Sequence, residues 1–323
     1  MQPERIGRCG VCRCYLDSED LFCANCGTEN PLADTGATQL AHKADHHRFE
    51  CESCGASMSY DASAQALRCP FCGSSAMSRR EGARSVVPEK VVRFEISKGQ
   101  AERILRDWLG KGFWRPADAS KGAAIGEFTG VYVPYWMFEA STKTHWTADS
   151  SPAPPGSKGD WYPVAGKNQS HYSGILIAGS SVLTGKETDS IAPFHADAAV
   201  SPEQIDLDNA ISEEFRVPRK LARPLARAVI EQLERRECSK QVPNRSRKLQ
   251  VNVRLADLRG FPYLLPVWML AYRYKENVHR VLINGQSGKI AGSAPFSYGK
   301  LGVIGGIVFA VILIAALIAW LAS

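Results

Sequence analysis

Cys51-Glu52-Ser53-Cys54-Gly55 and Cys69-Pro70-Phe71-Cys72-Gly73, with fourteen residues between Cys54 and Cys69, decide how the amino-terminal part of this chain folds. A C-x-x-C knuckle points two thiolates at one position, and a second knuckle roughly 10 to 20 residues later completes a tetrahedral all-sulfur shell that closes Zn2+ off from water. Each knuckle ends in a Cys-Gly step, which lets backbone amides turn toward the sulfurs. The pattern predicts a zinc ribbon over residues 45–78.

A second set of knuckles precedes it. Cys9, Cys12, Cys23 and Cys26, with ten residues between Cys12 and Cys23, predict another ribbon over residues 1–32, and the eight cysteines together predict two structural Zn2+ ions. Cys14 competes with Cys12 as a ligand. His42, His46 and His47 are placed in the solvated stretch between the ribbons. Met1 to Gly10 has no apolar core of a signal peptide, so thiols are expected to persist and paired disulfides are disfavoured. A redox dithiol fits less well, because such motifs sit within a strand-helix unit and not in tandem.

At the other end, Leu301 to Ala322 is 22 residues without a charge. A helix of that length spans a hydrocarbon core of about 30 Å. The expectation is a transmembrane helix over 301–322 in a tail-anchored, single-pass protein of the inner (plasma) membrane. Lys289 and Lys300 before the span place the N-terminus in the cytoplasm. Gly302, Gly306 and Ala310 make a small-xxx-small face for helix association.

Between ribbons and span, residues 79–89 are charged and aperiodic and form the expected linker, and residues 90–298 are long enough for a domain with its own core. Val91 to Ile96 alternates like a strand. Ala101, Ile104, Leu105, Trp108 and Leu109 then fall on one helical face. Val133-Pro134-Tyr135-Trp136-Met137-Phe138 is echoed 132 residues later by Leu265-Pro266-Val267-Trp268-Met269-Leu270, which points to two equivalent strands of a duplicated unit. Val278 to Ile283, Asn284-Gly285 and Lys289-Ile290 give a hairpin signal. The fold class expected is α+β, richer in strand than helix.

From Arg216 to Arg254 there are twelve Lys or Arg against three Glu, a net of +9 in a chain of +6. Most of it lies on a helix predicted from Pro218 to about Lys240, kinked or restarted at Pro224. Leu221, Leu225, Val229 and Leu233 form its apolar stripe, and Glu231 and Glu234 offer local partners. Such a helix can face anionic lipid, nucleic-acid phosphates or simply solvent.

No catalytic motif is present in the sequence. Gly179 through Gly185-Lys186 has five residues between its glycines and Glu187 after the lysine, where a phosphate loop needs four and then Ser or Thr. Ser287 lacks the final glycine of a nucleophile elbow. His145, His171, His195 and His279 are isolated, and Cys238 lies alone on the basic helix beside Arg235 and Arg236, which would lower its pKa unless it is buried.

The stretch from Cys51 to Gly73, with Gly130-Val131-Tyr132-Val133-Pro134-Tyr135-Trp136, Leu265-Pro266-Val267-Trp268 and Asn284-Gly285-Gln286-Ser287-Gly288-Lys289, resembles bacterial zinc-ribbon membrane proteins. Those proteins are often labelled primosomal helicase-like or as having a transcription-factor-B-type zinc ribbon. The similarity covers most of residues 47–300. A helicase activity does not carry over, because no phosphate loop or DEAD/DEAH-like motif is present. The resemblance implies a membrane-associated tether for cytoplasmic or membrane protein partners in membrane-stress or envelope complexes. The chain is thus expected to be a non-enzymatic adaptor displaying its ribbons. The alternative is a nucleic-acid-binding protein using the ribbons and residues 216–254, which the few cations of the second ribbon disfavour. As separate small units the ribbons should unfold on chelation, leaving the part after Val91 intact.

Overall fold

The computed structural model describes residues 7–8, 10–11, 15–16, 47–60, 68–80, 86, 88–110, 128–180, 182–274, 277–292, 306, 309 and 312. β1 (Gly7–Arg8) and β2 (Tyr15–Leu16) pair antiparallel. One sheet contains β3 (His47–Cys51), β4 (Ser57–Tyr60), β5 (Met77–Arg80), β6 (Lys90–Val91), β7 (Thr129–Ser151), β8 (Tyr162–Ala178), β9 (Ile211–Glu213), β10 (Arg245–Tyr274), β11 (Asn277–Asn284) and β12 (Ile290–Gly292). Its order is β12-β11-β10-β7-β9-β4-β3-β5, with β6 beside β10 and β8 beside β7. Among the described residues the continuous α-helices are α1 (Lys98–Gly110), α2 (Gly185–Ile191) and α3 (Arg219–Gln241). The fold is strand-rich α+β.

The centre of the sheet is built from the two echoed hexamers. β7 and β10 run antiparallel there, with Tyr132 opposite Pro266, Val133 opposite Leu265 and Pro134 opposite Leu264. Their surroundings correspond bond for bond. Gly179 and Gly285 donate their N–H groups to the carbonyls of Pro134 and Pro266, both at 2.8 Å. The carbonyl of Gly179 in turn accepts from Arg216 and Val217, and that of Gly285 from Glu95 and Ile96. Phe215 packs on Trp136 and Phe94 on Trp268, with ring centroids 4.9 and 5.0 Å apart. A helix, a long strand and a partner strand occur twice, as α1-β7-β8 and as α3-β10-β11, and the two copies interlock about the β7/β10 seam.

Beyond that seam the long strands continue as an arm. β7, β8 and β10 pair over residues 141–151, 162–172 and 245–256, and α3 covers one face. Trp146, Ala148, Cys238 and Val242 form its core. On the seam side, Ala222, Ala226 and Ile230 of α3 are fully buried, and the first two of these small side chains pack with Trp136 and Phe138. Pro224 is accommodated within the first turns of α3 without breaking it.

Several expectations are corrected. No helix among the described residues is long and apolar enough to cross a membrane, which overturns the tail-anchored, single-pass placement in an inner membrane. Of the segment 301–322 only Gly306, Phe309 and Ile312 are described, each helical and exposed, and Gly302 and Ala310 lie outside the described residues. The stripe Leu221, Leu225 and Val229 faces outward, at 58, 54 and 37% exposure, because the smaller Ala222 and Ala226 let α3 approach the sheet more closely. In the β11–β12 connection the positive φ falls on Gly288, while the Asn284 side chain accepts from the amides of Gln286 and Ser287.

Candidate metal centre

Cys51 closes β3, Cys54 follows within the turn before β4, and Cys69 and Cys72 occupy the turn that leads to β5. The two knuckles have the same local geometry. Gly55 N–H donates to Cys51 C=O and Gly73 N–H to Cys69 C=O, both at 2.8 Å. Cys51 N–H donates to Ala56 C=O and Cys69 N–H to Ser74 C=O, again at 2.8 Å. Gly55 and Gly73 take φ of 74° and 75°, a left-handed conformation that a residue with Cβ adopts at a cost. Ser53 Oγ donates to Ser74 Oγ at 2.8 Å and links the knuckles across their open side.

The four sulfurs lie within 4.8 Å of one another. Cys51 Sγ is 3.6 Å from Cys72 Sγ, and Cys54 Sγ is 3.6 Å from Cys69 Sγ. Thiolates bound at 2.3 Å to a tetrahedral ion stand about 3.8 Å apart, so the set fits one such ion. Burial pushes the Cys54 thiol up to about 11 and raises that of Cys69. At Cys51 burial acts in the same direction, but the amides of Cys54 and Ser53 and the neighbouring sulfurs outweigh it and bring the thiol below its ordinary value. Four thiolates held this close repel one another, and a cation at their centre would balance them in place of the thiol protons.

The centre is fused to the sheet. β4 pairs with β9 through Met58 and Ser59 opposite Glu213 and Ser212, and β9 pairs with β7. Arg48 bridges to Glu214 at 3.1 Å, and Arg216 binds Glu50 at 3.1 Å and Ser57 Oγ at 2.7 Å. Arg280 of β11 donates Nε to the carbonyl of Phe71, inside the second knuckle, at 2.8 Å and pairs with Glu187. Cys51, Met58, Tyr60, Cys69 and Phe71 share one core with Val133, Tyr135, Leu265, Val267 and Met269.

Cys9, Cys12, Cys23 and Cys26, with the competing Cys14, lie outside the described residues, as do His42 and His46. The short β1–β2 pair borders the first of those knuckles in sequence, and His47 heads β3. Cys238 is fully buried and its thiol is raised by burial and by Glu234 and Glu237, so the flanking arginines do not activate it. His145 and His171 share one face of the arm, and His195 and His279 lie on other elements.

Two buried carboxyls escaped the sequence. Glu213 is 2% exposed; burial raises its carboxyl to about 8 against the pull of Ser180, Arg280 and Arg216. Ser180 Oγ donates to its Oε1 at 2.6 Å. Glu234 is fully buried under the arm, where it accepts from Thr142 Oγ1 at 2.7 Å, Tyr172 O–H at 2.8 Å and Asn168 Nδ2 at 3.1 Å. Burial opposes its charge, but the surrounding hydroxyls, Thr142 foremost and Tyr172 among them, outweigh it and hold the carboxyl down at about 2. No sequence signal separates either glutamate from a surface one.

YdjG, an uncharacterised protein of Bacillus subtilis (strain 168), is 27% identical to this chain over 247 residues, covering 71% of this chain and 72% of that protein. No family model and no solved structure matches the chain.

Proposed function

We propose that this chain is a non-enzymatic adaptor whose sheet is held at one end by a structural Zn2+ on Cys51, Cys54, Cys69 and Cys72, and that Cys9, Cys12, Cys23 and Cys26 take a second ion. The observation that carries the structural role is the four-sulfur shell, in which Cys51 and Cys69 are buried in the main core and Cys54 and Cys72 pack against it. Four thiolates fill a tetrahedral ion's coordination sphere and leave no position for water or substrate. Zinc is the ion whose preferences match four thiolates at this spacing.

The docking face of the adaptor is the outer side of α3. Leu221, Leu225 and Val229 stand exposed on successive turns beside Lys220, Arg235 and Arg236. Large aliphatics in line on a surface mark an interaction site. Basic neighbours select a partner helix with an apolar stripe and acidic flanks.

Nucleic-acid binding through α3 is less well supported, because much of its positive charge is engaged within the fold. Arg219 donates to Gly260 C=O and Arg223 to Leu258 C=O, where β10 bulges, while Arg227 pairs with Glu231 and Lys240 with Glu237.

The test is purification of the intact chain with its native partners, beside a Leu221→Asp/Leu225→Asp variant and a Cys51→Ser/Cys54→Ser variant, with metal content measured by mass spectrometry. A defined protein that is retained by the parent chain and lost with the α3 variant, while zinc content is unchanged, supports the adaptor. Recovery of the same protein with both variants overturns the assignment of these surfaces, and zinc-free protein with an intact fold overturns the structural ion.

A further inference from the structure

The arm has a second face, opposite α3, that nothing covers among the described residues. Strand register lays its side chains out in rows: Ala165, Thr147, Gln250; then Lys167, His145, Asn252; then Gln169, Lys143, Arg254; then His171, Ser141, Ala256. All but Ser141 are exposed. We propose that this face binds a single-stranded nucleic acid through its phosphate backbone.

Charge carries the argument first. Lys143 stands directly opposite Arg254, and Lys167 stands opposite His145 one row away. Like charges directly across a strand pair destabilise a sheet, and an anion laid across them removes the penalty. Among the described residues the four rows contain no carboxylate to do this. Beyond their ends, Asp149 at the tip is held by Arg247 at 3.1 Å and Lys248 at 3.7 Å, and Glu139 stands opposite Arg259. Glu234 lies on the other face, engaged by Thr142, Asn168 and Tyr172.

Shape and chemistry then select the ligand. The four rows contain no aliphatic side chain larger than alanine, so an acidic amphipathic helix finds no pocket for its apolar stripe. Amides, hydroxyls and imidazoles between the cations suit phosphate and sugar oxygens. The B-form major groove admits a helix or a two-stranded ribbon, whereas this surface is three strands and about 10 Å wide. Open sheet faces are instead platforms for single strands. At the tip, Trp161 lies under the Arg247 guanidinium at 4.2 Å, where its indole can take a base. This site does not depend on the adaptor role of α3.

Fluorescence polarisation of the full-length chain with labelled single-stranded RNA and DNA about 20 nucleotides long tests the proposal. The parent chain should bind with an affinity that falls as salt rises. Lys143→Ala/Arg254→Ala should bind at least ~10-fold more weakly at low salt, with a salt slope shallower by about 1.4, or ~0.7 for each phosphate contact removed. Lys220→Ala/Arg236→Ala on α3 should bind like the parent. Circular dichroism confirms that the variants are folded, and Lys143→Gln/Arg254→Gln replaces the alanine pair if it is not. No salt-dependent binding by the parent chain, or equal binding by the arm variant, overturns the site. Polyglutamate competing as well as RNA, with the same loss on Lys143→Ala/Arg254→Ala, reassigns the face to an acidic polypeptide.

Discussion

Trp136 and Trp268 occupy the same place in the two echoed hexamers, and each ties down the start of the other unit's helix. Trp136 Nε1 donates to the carbonyl of Val217 at 2.7 Å, two residues before α3 begins, and Trp268 Nε1 donates to that of Ile96 at 2.8 Å, two residues before α1 begins. The helices are therefore set by strands from the opposite copy. Replacing either tryptophan by phenylalanine keeps an aromatic ring but leaves a carbonyl without its donor. Each single variant should lose about 1 to 3 kcal/mol in denaturant unfolding, and the two losses should be similar. A large loss from one and none from the other would show that the two units are not equivalent.

Glu213 predicts an unusual pH dependence. Its folded-state carboxyl titrates at about 8, against an ordinary 4.5, because burial disfavours its charge. A raised carboxyl binds its proton more tightly in the folded state, so its stabilising contribution is complete below about pH 4.5 and lost as pH rises toward 8. Glu213→Gln keeps an acceptor for Ser180 and cannot ionise. The variant should lose the fall in thermal midpoint between those pH values that the parent chain shows.

Glu234 works in the opposite sense. Its carboxyl is held down at about 2, so the stabilisation it gives is complete above the ordinary carboxylate range and lost as pH falls from about 4.5 toward 2. Glu234→Leu leaves the hydroxyls of Thr142 and Tyr172 and the amide of Asn168 without their acceptor under α3. A loss of about 3 kcal/mol or more at neutral pH is expected. The difference from the parent should shrink on acidification, which unfolding curves at two pH values will show.

Much of the centre of this fold is legible in the sequence because the signals there are local. Knuckle spacing names Cys51, Cys54, Cys69 and Cys72, and the shared hexamer names the two central strands. Periodicity finds α1 and α3 but does not orient α3. Leu221, Leu225 and Val229 repeat with the same four-residue step as Ala222, Ala226 and Ile230, and only the close approach to Trp136 and Phe138 decides that the smaller set faces in. The fusion of ribbon and sheet rests on β9, three residues that lie about 150 residues from the strand they join, with no turn or periodicity to announce it. Buried glutamates are invisible for the same reason, since the hydroxyls that satisfy Glu234 come from strands far away in sequence.

That fusion changes what metal removal should do. A ribbon standing apart would unfold alone on chelation and leave the rest unaffected. Here Cys51, Cys69 and Phe71 share a core with Val133, Leu265 and Met269, and the Phe71 carbonyl anchors Arg280 of β11. Losing the proposed ion should expose the buried side of β7 and β10 near the seam and free Arg216 and Arg280 from their partners in the ribbon. The arm core around Trp146, Cys238 and Val242 contains no ribbon residue. Hydrogen exchange after chelation should therefore show lost protection at residues 131–135 and 263–269 as well as in the ribbon, with protection retained at residues 142–148 and 230–238. Restoring Zn2+ should reverse the pattern. Exchange confined to residues 47–80 would mean that the shared core stands without the ribbon.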